Sequence, residues 1–213
     1  LAYAVGRANF RSLTLEVDER VLIPRPETEL LVDLVLKRCA PGSTVVHVGT
    51  GSGAIALALA TEGKFDRVVA TDVSREALDV AQANAARIGA SVEFICGDLL
   101  AGCWVSGDGS SPANTHHPAP ITAIVSNPPY IACDEARNLP ASVRDWEPAV
   151  ALFSSRDGLA VTARLVRQAA SRLAAGGLLA LEVDARRASL VAELVSNDQR
   201  YEQVEVQLDL AGR

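Results

Sequence analysis

The residues best suited to chemistry form a polar corner, Asn127-Pro128-Pro129-Tyr130, which Ser126 separates from the apolar run at 121–125. A β-branched run predicts a buried strand, and two consecutive prolines end it at a rigid turn. Asn127 and Pro128 each precede a proline and are therefore held extended. The corner offers the amide of Asn127, a free backbone carbonyl and the ring of Tyr130. It suits a flat ligand group that carries an NH2, because each of the two NH2 hydrogens needs an acceptor. The alternative is an ordinary Asn-Pro turn.

A glycine-rich segment, residues 49–53, is the second candidate for chemistry, and it lies between a predicted strand at 44–48 and a predicted helix at 54–60. Glycines there let the backbone approach a ligand at a helix N-terminus. Asp72 ends the next predicted strand, about twenty residues on, where a carboxylate commonly accepts both hydroxyls of a ribose. The pattern predicts a nucleoside-containing cofactor, and it leaves an NAD enzyme open. The segment consists of Gly49, Thr50, Gly51, Ser52 and Gly53.

Asp98 follows the third predicted strand, at 92–96, on the same edge of the sheet. There it could meet the adenine of the cofactor, or it could cap the following turn. The carboxyl ends of parallel strands open onto one crevice. We therefore expect the loops after three strands and the corner at Asn127 to converge.

The elements that must position these residues alternate between strand and helix. Such alternation predicts an α/β fold with a doubly wound, mostly parallel sheet. We expect one domain, 1–213, with a hairpin and linker segment at 1–26, an α/β core at 27–213 and a flexible loop at 101–120. The further predicted elements are a hairpin at 10–23, helices at 27–36, 74–88, 159–173 (ending at Gly176-Gly177) and 187–195, and strands at 67–72, 178–183 and 201–208.

Composition narrows the class of protein. The 213 residues carry 20 Lys and Arg against 26 Asp and Glu, and the net charge of -6 disfavours a broad nucleic-acid surface. We see no membrane-spanning or signal segment. The four cysteines lack C-x-x-C spacing, which favours a reducing, cytoplasmic setting. The chain starts at Leu1 rather than Met, so we expect it to be a piece of a longer protein.

Segments 49–53 and 127–130 together resemble the class I S-adenosylmethionine-dependent methyltransferases that act on planar nitrogens. The run 22–29, Leu-Ile-Pro-Arg-Pro-Glu-Thr-Glu, is more selective. With Glu147-Pro148, Asp157-Gly158-Leu159 and the closing Asp-Leu-Ala-Gly-Arg at 209–213, it is similar to the peptide-chain release factor glutamine methyltransferases of the HemK type. The resemblance extends over residues 6–213. It implies a Rossmann-like fold with S-adenosyl-L-methionine as the cofactor.

The resemblance also implies roles for individual residues. It assigns contact with the methionine part of the cofactor to residues 49–53, the ribose to Asp72, and the adenine to Asp98 and Leu99. Residues 127–130, which are Asn127, Pro128, Pro129 and Tyr130, would grip a substrate glutamine in the Gly-Gly-Gln loop of a release factor, with Asn127 also near the cofactor. The partner is then a protein, with neither direct nucleic-acid binding nor a membrane.

The chemical hypothesis follows from the substrate. An amide nitrogen is a poor nucleophile, so positioning must supply much of the catalysis. We expect the side-chain oxygen of Asn127 and the carbonyl of Pro128 to accept the two amide hydrogens, which directs the lone pair at the methyl group and stabilises the charge growing on nitrogen. Tyr130 would stack on the amide. No residue is predicted as a general base.

Other interpretations remain open at this point. The chain could methylate an adenine amino group of nucleic acid, or bind the cofactor without activity. His47 stands where the family usually has an acid, and a structural role is the favoured reading of this residue. The helical N-terminal domain of the family is expected to be absent. We predict no metal site, since His116, His117 and Cys103 match no known ligand spacing.

Overall fold

The computed structural model describes residues 2–103, 120–155, 157–209 and 212. Two sheets are formed by the strands β1 (Arg7–Phe10), β2 (Leu13–Glu16), β3 (Thr44–Val48), β4 (Arg67–Asp72), β5 (Glu93–Cys96), β6 (Ile121–Ser126) and β7 (Leu173–Leu181). β1 and β2 pair as an antiparallel hairpin, and the other strands form one parallel sheet in the order β5-β4-β3-β6-β7. The predicted α/β class with an N-terminal hairpin is confirmed.

Helices cover both faces of the parallel sheet. They are α1 (Ala2–Val5), α2 (Glu29–Arg38), α3 (Ala54–Glu62), α4 (Arg75–Ile88), α5 (Ala141–Arg144), α6 (Ala149–Leu152), α7 (Ala160–Ala169) and α8 (Ala188–Ser196), with 3-10 turns at Pro26–Thr28 and Cys133–Asn138. The start of α4 is fixed as the sequence predicts, because the Ser74 hydroxyl accepts a hydrogen bond from the Ala77 amide (3.1 Å). Its end is a left-handed Gly89, with φ of 75°.

β3 lies at the centre of the core, and all five of its residues are buried. Val45 packs in one hydrophobic cluster with α2 and α3, whereas Val46 and Val48 pack in a second cluster with Leu165 of α7. Successive side chains of a strand point to opposite faces, so a strand covered on both sides has every side chain buried. This burial fixes the height at which β3 ends and the glycine-rich segment begins.

The hairpin differs from its predicted position at 10–23. Its strands span 7–16, and the turn is at Arg11, whose φ is 52°. The later apolar positions are buried without forming a strand, since Val17 and Val21 pack against Ala77 and Val80 of α4. The predicted hairpin was therefore placed too late, because apolar residues that alternate in the sequence can be buried without pairing in a strand.

The C-terminal elements also differ from the prediction. α7 ends at Ala169, and Gly176-Gly177 lie within β7 rather than closing a helix. β7 can hold them because its register against β6 shifts: Ile121 pairs with Leu173, but Ala123 pairs with Leu178. Five steps of β7 oppose two of β6, so the extra residues form a bulge.

The predicted strand at 201–208 is wrong, because residues 201–209 belong to no helix or strand. Its apolar side chains Val204, Val206 and Leu208 are exposed, whereas a strand of this sheet would bury one face. The segment is attached by Tyr201, whose hydroxyl donates to the Val166 carbonyl (2.7 Å).

Within the described ranges, no helix is long and apolar enough to cross a membrane. Of the loop predicted at 101–120, residues 104–119 lie outside the described residues.

Candidate active site

A cavity of about 390 Å³ opens at the carboxyl ends of β3, β4, β5 and β6. Its size is that of a cofactor pocket. We call it the crevice. The predicted site residues that line it are Gly49, Gly51, Asp72, Asp98, Leu99, Asn127, Pro128 and Pro129. The predicted residues Thr50, Ser52, Gly53 and Tyr130 are not among its lining.

The glycine-rich segment 49–53, called the glycine loop from here on, turns around the end of β3. Its glycines have positive φ angles of 73° at Gly49, 53° at Gly51 and 89° at Gly53. A Cβ added at Gly49 or Gly51 would meet no atom within 4 Å, so both positions face open space in the crevice. A Cβ at Gly53 would instead approach the Leu57 side chain to 2.9 Å. The first two glycines thus leave room for a ligand, and the third lets α3 begin close to the loop.

Asp72, at the end of β4, ties the glycine loop to the neighbouring strand. Its Oδ2 accepts from the Gly51 amide (2.9 Å) and its Oδ1 accepts from the Ser74 amide (2.9 Å). Burial raises the pKa of Asp72, while these backbone donors act in the opposite sense. Each oxygen keeps a further lone pair, so a carboxylate held in this way suits the two hydroxyls of a ribose.

The side chains of His47 and Thr50 lie beneath the backbone of the glycine loop and do not line the crevice. The Nδ1 of His47 is 3.0 Å from the Thr50 hydroxyl oxygen, and the His47 residue is only 2% exposed. Burial lowers the pKa of His47 to about 3, so the ring is neutral. Its Nε2 has no hydrogen-bond partner in the part of the chain described. The position is structural: the imidazole supports the loop from the core.

Ser52 is also buried below the loop, and its carbonyl accepts from the side-chain amide of Asn84 (3.0 Å). Asn84 bonds to Glu16 of β2 as well, through Nδ2 to the Glu16 carbonyl (3.0 Å). One α4 side chain thus fixes the hairpin to the glycine loop.

The far end of the crevice is formed by Asp98 and Leu99. Asp98 pairs with Arg164 of α7, and both side chains line the cavity. Leu99 is nearly buried and takes a left-handed φ of 57°, and its carbonyl accepts from the Thr71 hydroxyl (2.8 Å). An apolar side chain beside a polar edge suits a purine ring.

At the opposite end, the amide of Asn127 is held from behind. Its Nδ2 donates to Glu182 Oε1 (2.9 Å) and to Thr28 Oγ1 (3.3 Å), and the Thr28 hydroxyl donates to Glu182 Oε2 (2.6 Å). Sequence reasoning missed both partners. Glu182 could have been found by applying the strand-end rule to β7, which it follows directly, and Thr28 lies inside the selective run at 22–29.

The remaining corner residues differ in exposure to the crevice. None of the hydrogen bonds among the described residues ends on the Pro128 carbonyl, and Pro128 and Pro129 line the cavity. Tyr130 is half-buried outside the lining, where burial and then the Glu182 charge raise its pKa. Stacking of its ring on a substrate amide remains a prediction.

An ion pair supports the outer wall of the crevice. Arg25, in the run at 22–29, contacts the buried carboxylate of Glu147 at 2.6 Å. The following residues Pro148, Val150 and Ala151 form the wall itself. Arg25 and Glu147 both belong to segments on which the family resemblance rests, but no spacing in the sequence shows that they meet.

No group of three or more His, Cys, Asp or Glu side chains in the described ranges could hold a metal ion. His116 and His117 lie outside those ranges.

Comparison with known proteins defines the class. Residues 45–110, which include the glycine loop and Asp72, match the family model for a methyltransferase domain. The fold is similar to the crystal structure of a methyltransferase from Pyrococcus furiosus, with a TM-score of 0.58 at 18% identity over 86% of this chain and 76% of that one. The parallel sheet and the crevice at its carboxyl edge are those of a class I methyltransferase with a Rossmann-like fold.

Sequence relatives define the family. The chain is 40% identical, over 99% of its length, to the release factor glutamine methyltransferase of Lactococcus lactis, of which it covers 73%. It is 42% identical, over its whole length, to the release factor glutamine methyltransferase of Gloeobacter violaceus, of which it covers 71%. The chain belongs to the release factor glutamine methyltransferase family, as the run at 22–29 predicted.

Proposed function

We propose that this protein transfers a methyl group from S-adenosyl-L-methionine to the side-chain amide nitrogen of a glutamine in the Gly-Gly-Gln loop of a peptide-chain release factor. The observation that carries the proposal is the corner. Asn127 has its NH2 group bonded behind the crevice, and the Pro128 carbonyl accepts no bond among the described residues. Two acceptors at the edge of a crevice match the two hydrogens of a primary amide.

The other end of the crevice suits the cofactor. Gly49 and Gly51 leave room for a ligand, Asp72 has lone pairs for a ribose, and Leu99 with Asp98 forms a surface for a purine. Bound there, S-adenosyl-L-methionine would supply an electrophilic methyl group. This assignment of the lining residues is part of the proposal.

The corner's contribution is positional and electrostatic. Acceptance of both amide hydrogens by Asn127 Oδ1 and the Pro128 carbonyl holds the substrate nitrogen with its lone pair toward the methyl group. The bond between the methyl carbon and the cofactor's sulfur would break as the bond to nitrogen forms, and a neutral thioether would leave. Positive charge would grow on nitrogen meanwhile, and both acceptors would interact more strongly with its hydrogens. The proton then leaves to water, so no general base is required. We also propose a cytoplasmic location, since the proposed substrate belongs to the translation apparatus.

The proposal is tested by incubating the protein with methyl-labelled cofactor and either a release factor or a nucleic-acid duplex. We expect the label on the glutamine of the Gly-Gly-Gln loop, and none after that glutamine is replaced by alanine. Label on an adenine of the duplex would identify a nucleic-acid methyltransferase instead. Cofactor binding without transfer to either would identify a binding module.

Asn127→Ala tests the corner in the same assay. We expect kcat to fall about 100-fold, the usual effect of losing one such contact, with the cofactor Kd changed less than about threefold. Asn138→Ala, at an exposed asparagine that follows the corner in a 3-10 turn, is the matched control and should act like the parent. Equal kcat for the two variants would refute this role of Asn127.

A further inference from the structure

We propose that Glu182 is a positioning residue that, with Thr28, fixes which end of the Asn127 amide faces the substrate. The inference rests on the proposed function, because it concerns how an NH2-bearing substrate is received. Glu182 follows β7, Asn127 follows β6, and Thr28 ends the 3-10 turn before α2. Three separate elements thus bring these side chains together.

The hydrogen bonds allow one orientation of the amide. Burial raises the pKa of Glu182, whereas the hydrogen bonds from Thr28 and Asn127 favour its ionised form. In that form it has acceptors alone, so the group of Asn127 that lies 2.9 Å from Glu182 Oε1 must be the NH2 group. The Thr28 hydroxyl has a single hydrogen, which it donates to Glu182 Oε2 at 2.6 Å. Its lone pairs therefore accept the second NH2 hydrogen of Asn127, at 3.3 Å. Both hydrogens of Asn127 are used behind the crevice.

The consequence is found on the other side of the amide. Oδ1 of Asn127 is left as an acceptor, and Asn127 lines the crevice beside Pro128. If the amide turned over, its NH2 group would meet the NH2 group of the substrate, and two donors cannot bond to each other. An asparagine alone does not favour one orientation, because its two ends have nearly the same shape. The carboxylate supplies the difference.

The sheet places this carboxylate with little freedom. The Glu182 amide donates to the Ser126 carbonyl at 3.0 Å, which continues the β6–β7 pairing by one residue. Asn127 is the next residue after Ser126, so the two side chains are set side by side by the backbone ladder. Thr28 is 5% exposed and therefore equally confined.

The test compares Glu182→Ala, Glu182→Gln and the control Asp184→Ala, with labelled cofactor and the release factor as substrate. We expect Glu182→Ala to lower kcat about 100-fold, with the cofactor Kd, measured by calorimetry, changed less than about threefold. Glu182→Gln keeps the shape but can turn either its oxygen or its NH2 group toward Asn127, so the orientation of that amide is no longer fixed. We expect its kcat to lie between those of Glu182→Ala and the parent, about tenfold below the parent. Asp184→Ala should match the parent, since Asp184 bonds to Arg186 rather than to the corner.

A double-mutant cycle separates positioning from general support of the fold. If Glu182 acts through Asn127, then Glu182→Ala added to Asn127→Ala should lower kcat by a further factor of at most about two. A further large fall, or a Glu182→Ala variant with the kcat of the parent, would overturn the proposal. So would a Glu182→Gln variant with the kcat of the parent, because a carboxylate would then not be needed to fix the Asn127 amide.

Thr28 gives a second route if Glu182→Ala does not fold. Thr28→Val keeps the shape and removes the hydroxyl, and we expect a fall in kcat of about tenfold that Thr28→Ser reverses. Equal kcat for Thr28→Val and the parent would exclude Thr28 from the positioning role. Failure of the proposed function is distinguishable, because the parent protein would then leave the glutamine unlabelled, whereas failure of this inference leaves it labelled in the variants as well.

Discussion

At the residue scale, the crevice depends on side chains whose inward hydrogen bonds determine which atoms remain for a ligand. The two oxygens of Asp72 each accept one hydrogen bond, from the Gly51 and Ser74 amides. Asn127 donates both of its NH2 hydrogens, to Glu182 and Thr28. The groups that remain for a ligand are therefore hydrogen-bond acceptors, both at Asp72 and at Asn127. Such a site favours ligands that present hydroxyl and NH2 groups.

Replacement of Asp72 should affect cofactor binding first. Asp72→Ala removes the acceptors for the ribose and also releases the glycine loop at Gly51, so we expect the Kd for S-adenosyl-L-methionine to rise at least about tenfold. The control is Asp66→Ala, an exposed acid just before the opposite end of β4. Isothermal titration calorimetry measures both. A Kd for Asp72→Ala within twofold of the control would contradict the ribose assignment.

His47 leads to a prediction about stability and pH. Its pKa is lowered by burial to about 3, so the unfolded chain takes up a proton near pH 6.5 that the folded protein refuses. The stability that the neutral ring contributes is present above pH 6.5 and is lost as the pH falls toward 3. Between pH 7 and pH 5 this amounts to about 2 kcal/mol of unfolding free energy.

His47→Asn removes the titration and leaves a polar atom near the Thr50 hydroxyl. We expect urea unfolding of the variant to show a loss of stability between pH 7 and pH 5 that is smaller than the parent's by about 2 kcal/mol. Cofactor binding should persist, because the ring lies outside the crevice. Parallel pH profiles for the two proteins would show that His47 does not carry this dependence.

At the element scale, the crevice depends on segments that meet without being close in sequence. The Arg25–Glu147 ion pair joins the run at 22–29 to the wall that begins at Pro148. Arg25→Ala leaves a buried carboxylate without its cation, and because the Arg25 side chain is itself 37% exposed we expect about 1–3 kcal/mol of destabilisation. Arg144→Ala breaks the exposed pair with Asp145, which solvent screens, and should leave the stability nearly unchanged. Chemical unfolding of both variants checks this, and equal losses would contradict it.

The same scale shows what the sequence could predict. β3, β4 and β6 were located to within a residue because each is a short buried run followed by Gly, Asp or Asn-Pro, and the residues at their ends were identified with them. The burial of both faces makes such strands visible as continuous apolar runs. For this reason the candidate residues at the ends of these strands could be predicted from the sequence.

The missed features depend on contacts that no local pattern encodes. The bulge in β7 follows from its pairing with β6, and Gly176-Gly177 reads equally well as a helix end. The run 201–208 alternates like a strand but has no described strand beside it. Glu182 is a single acid after an apolar run, and its importance appears when β6 and β7 are placed side by side. Pairing between distant segments is therefore what the sequence left undetermined.

At the scale of the whole molecule, the crevice must admit a protein loop rather than a free amide. The chain carries a net charge of -6, so attraction of a nucleic-acid backbone is not the general property of its surface. Two exposed apolar side chains, Trp146 and Val150, instead lie near the wall of the crevice. Trp146 is 60% exposed and Val150 is 54% exposed, and they flank Pro148 at the wall of the crevice. Exposed tryptophan is among the side chains that most often anchor a protein partner.

Trp146→Ala should therefore weaken recognition of the protein substrate without affecting the chemistry. We expect the KM for the release factor to rise about tenfold, with kcat at saturation and the cofactor Kd changed less than about twofold. Leu190→Ala is the matched control, because Leu190 is 50% exposed on α8 and does not line the crevice. Steady-state labelling over a range of release factor concentrations separates KM from kcat. If Trp146→Ala lowered kcat and left KM unchanged, the tryptophan would act on the corner and not on docking of the substrate.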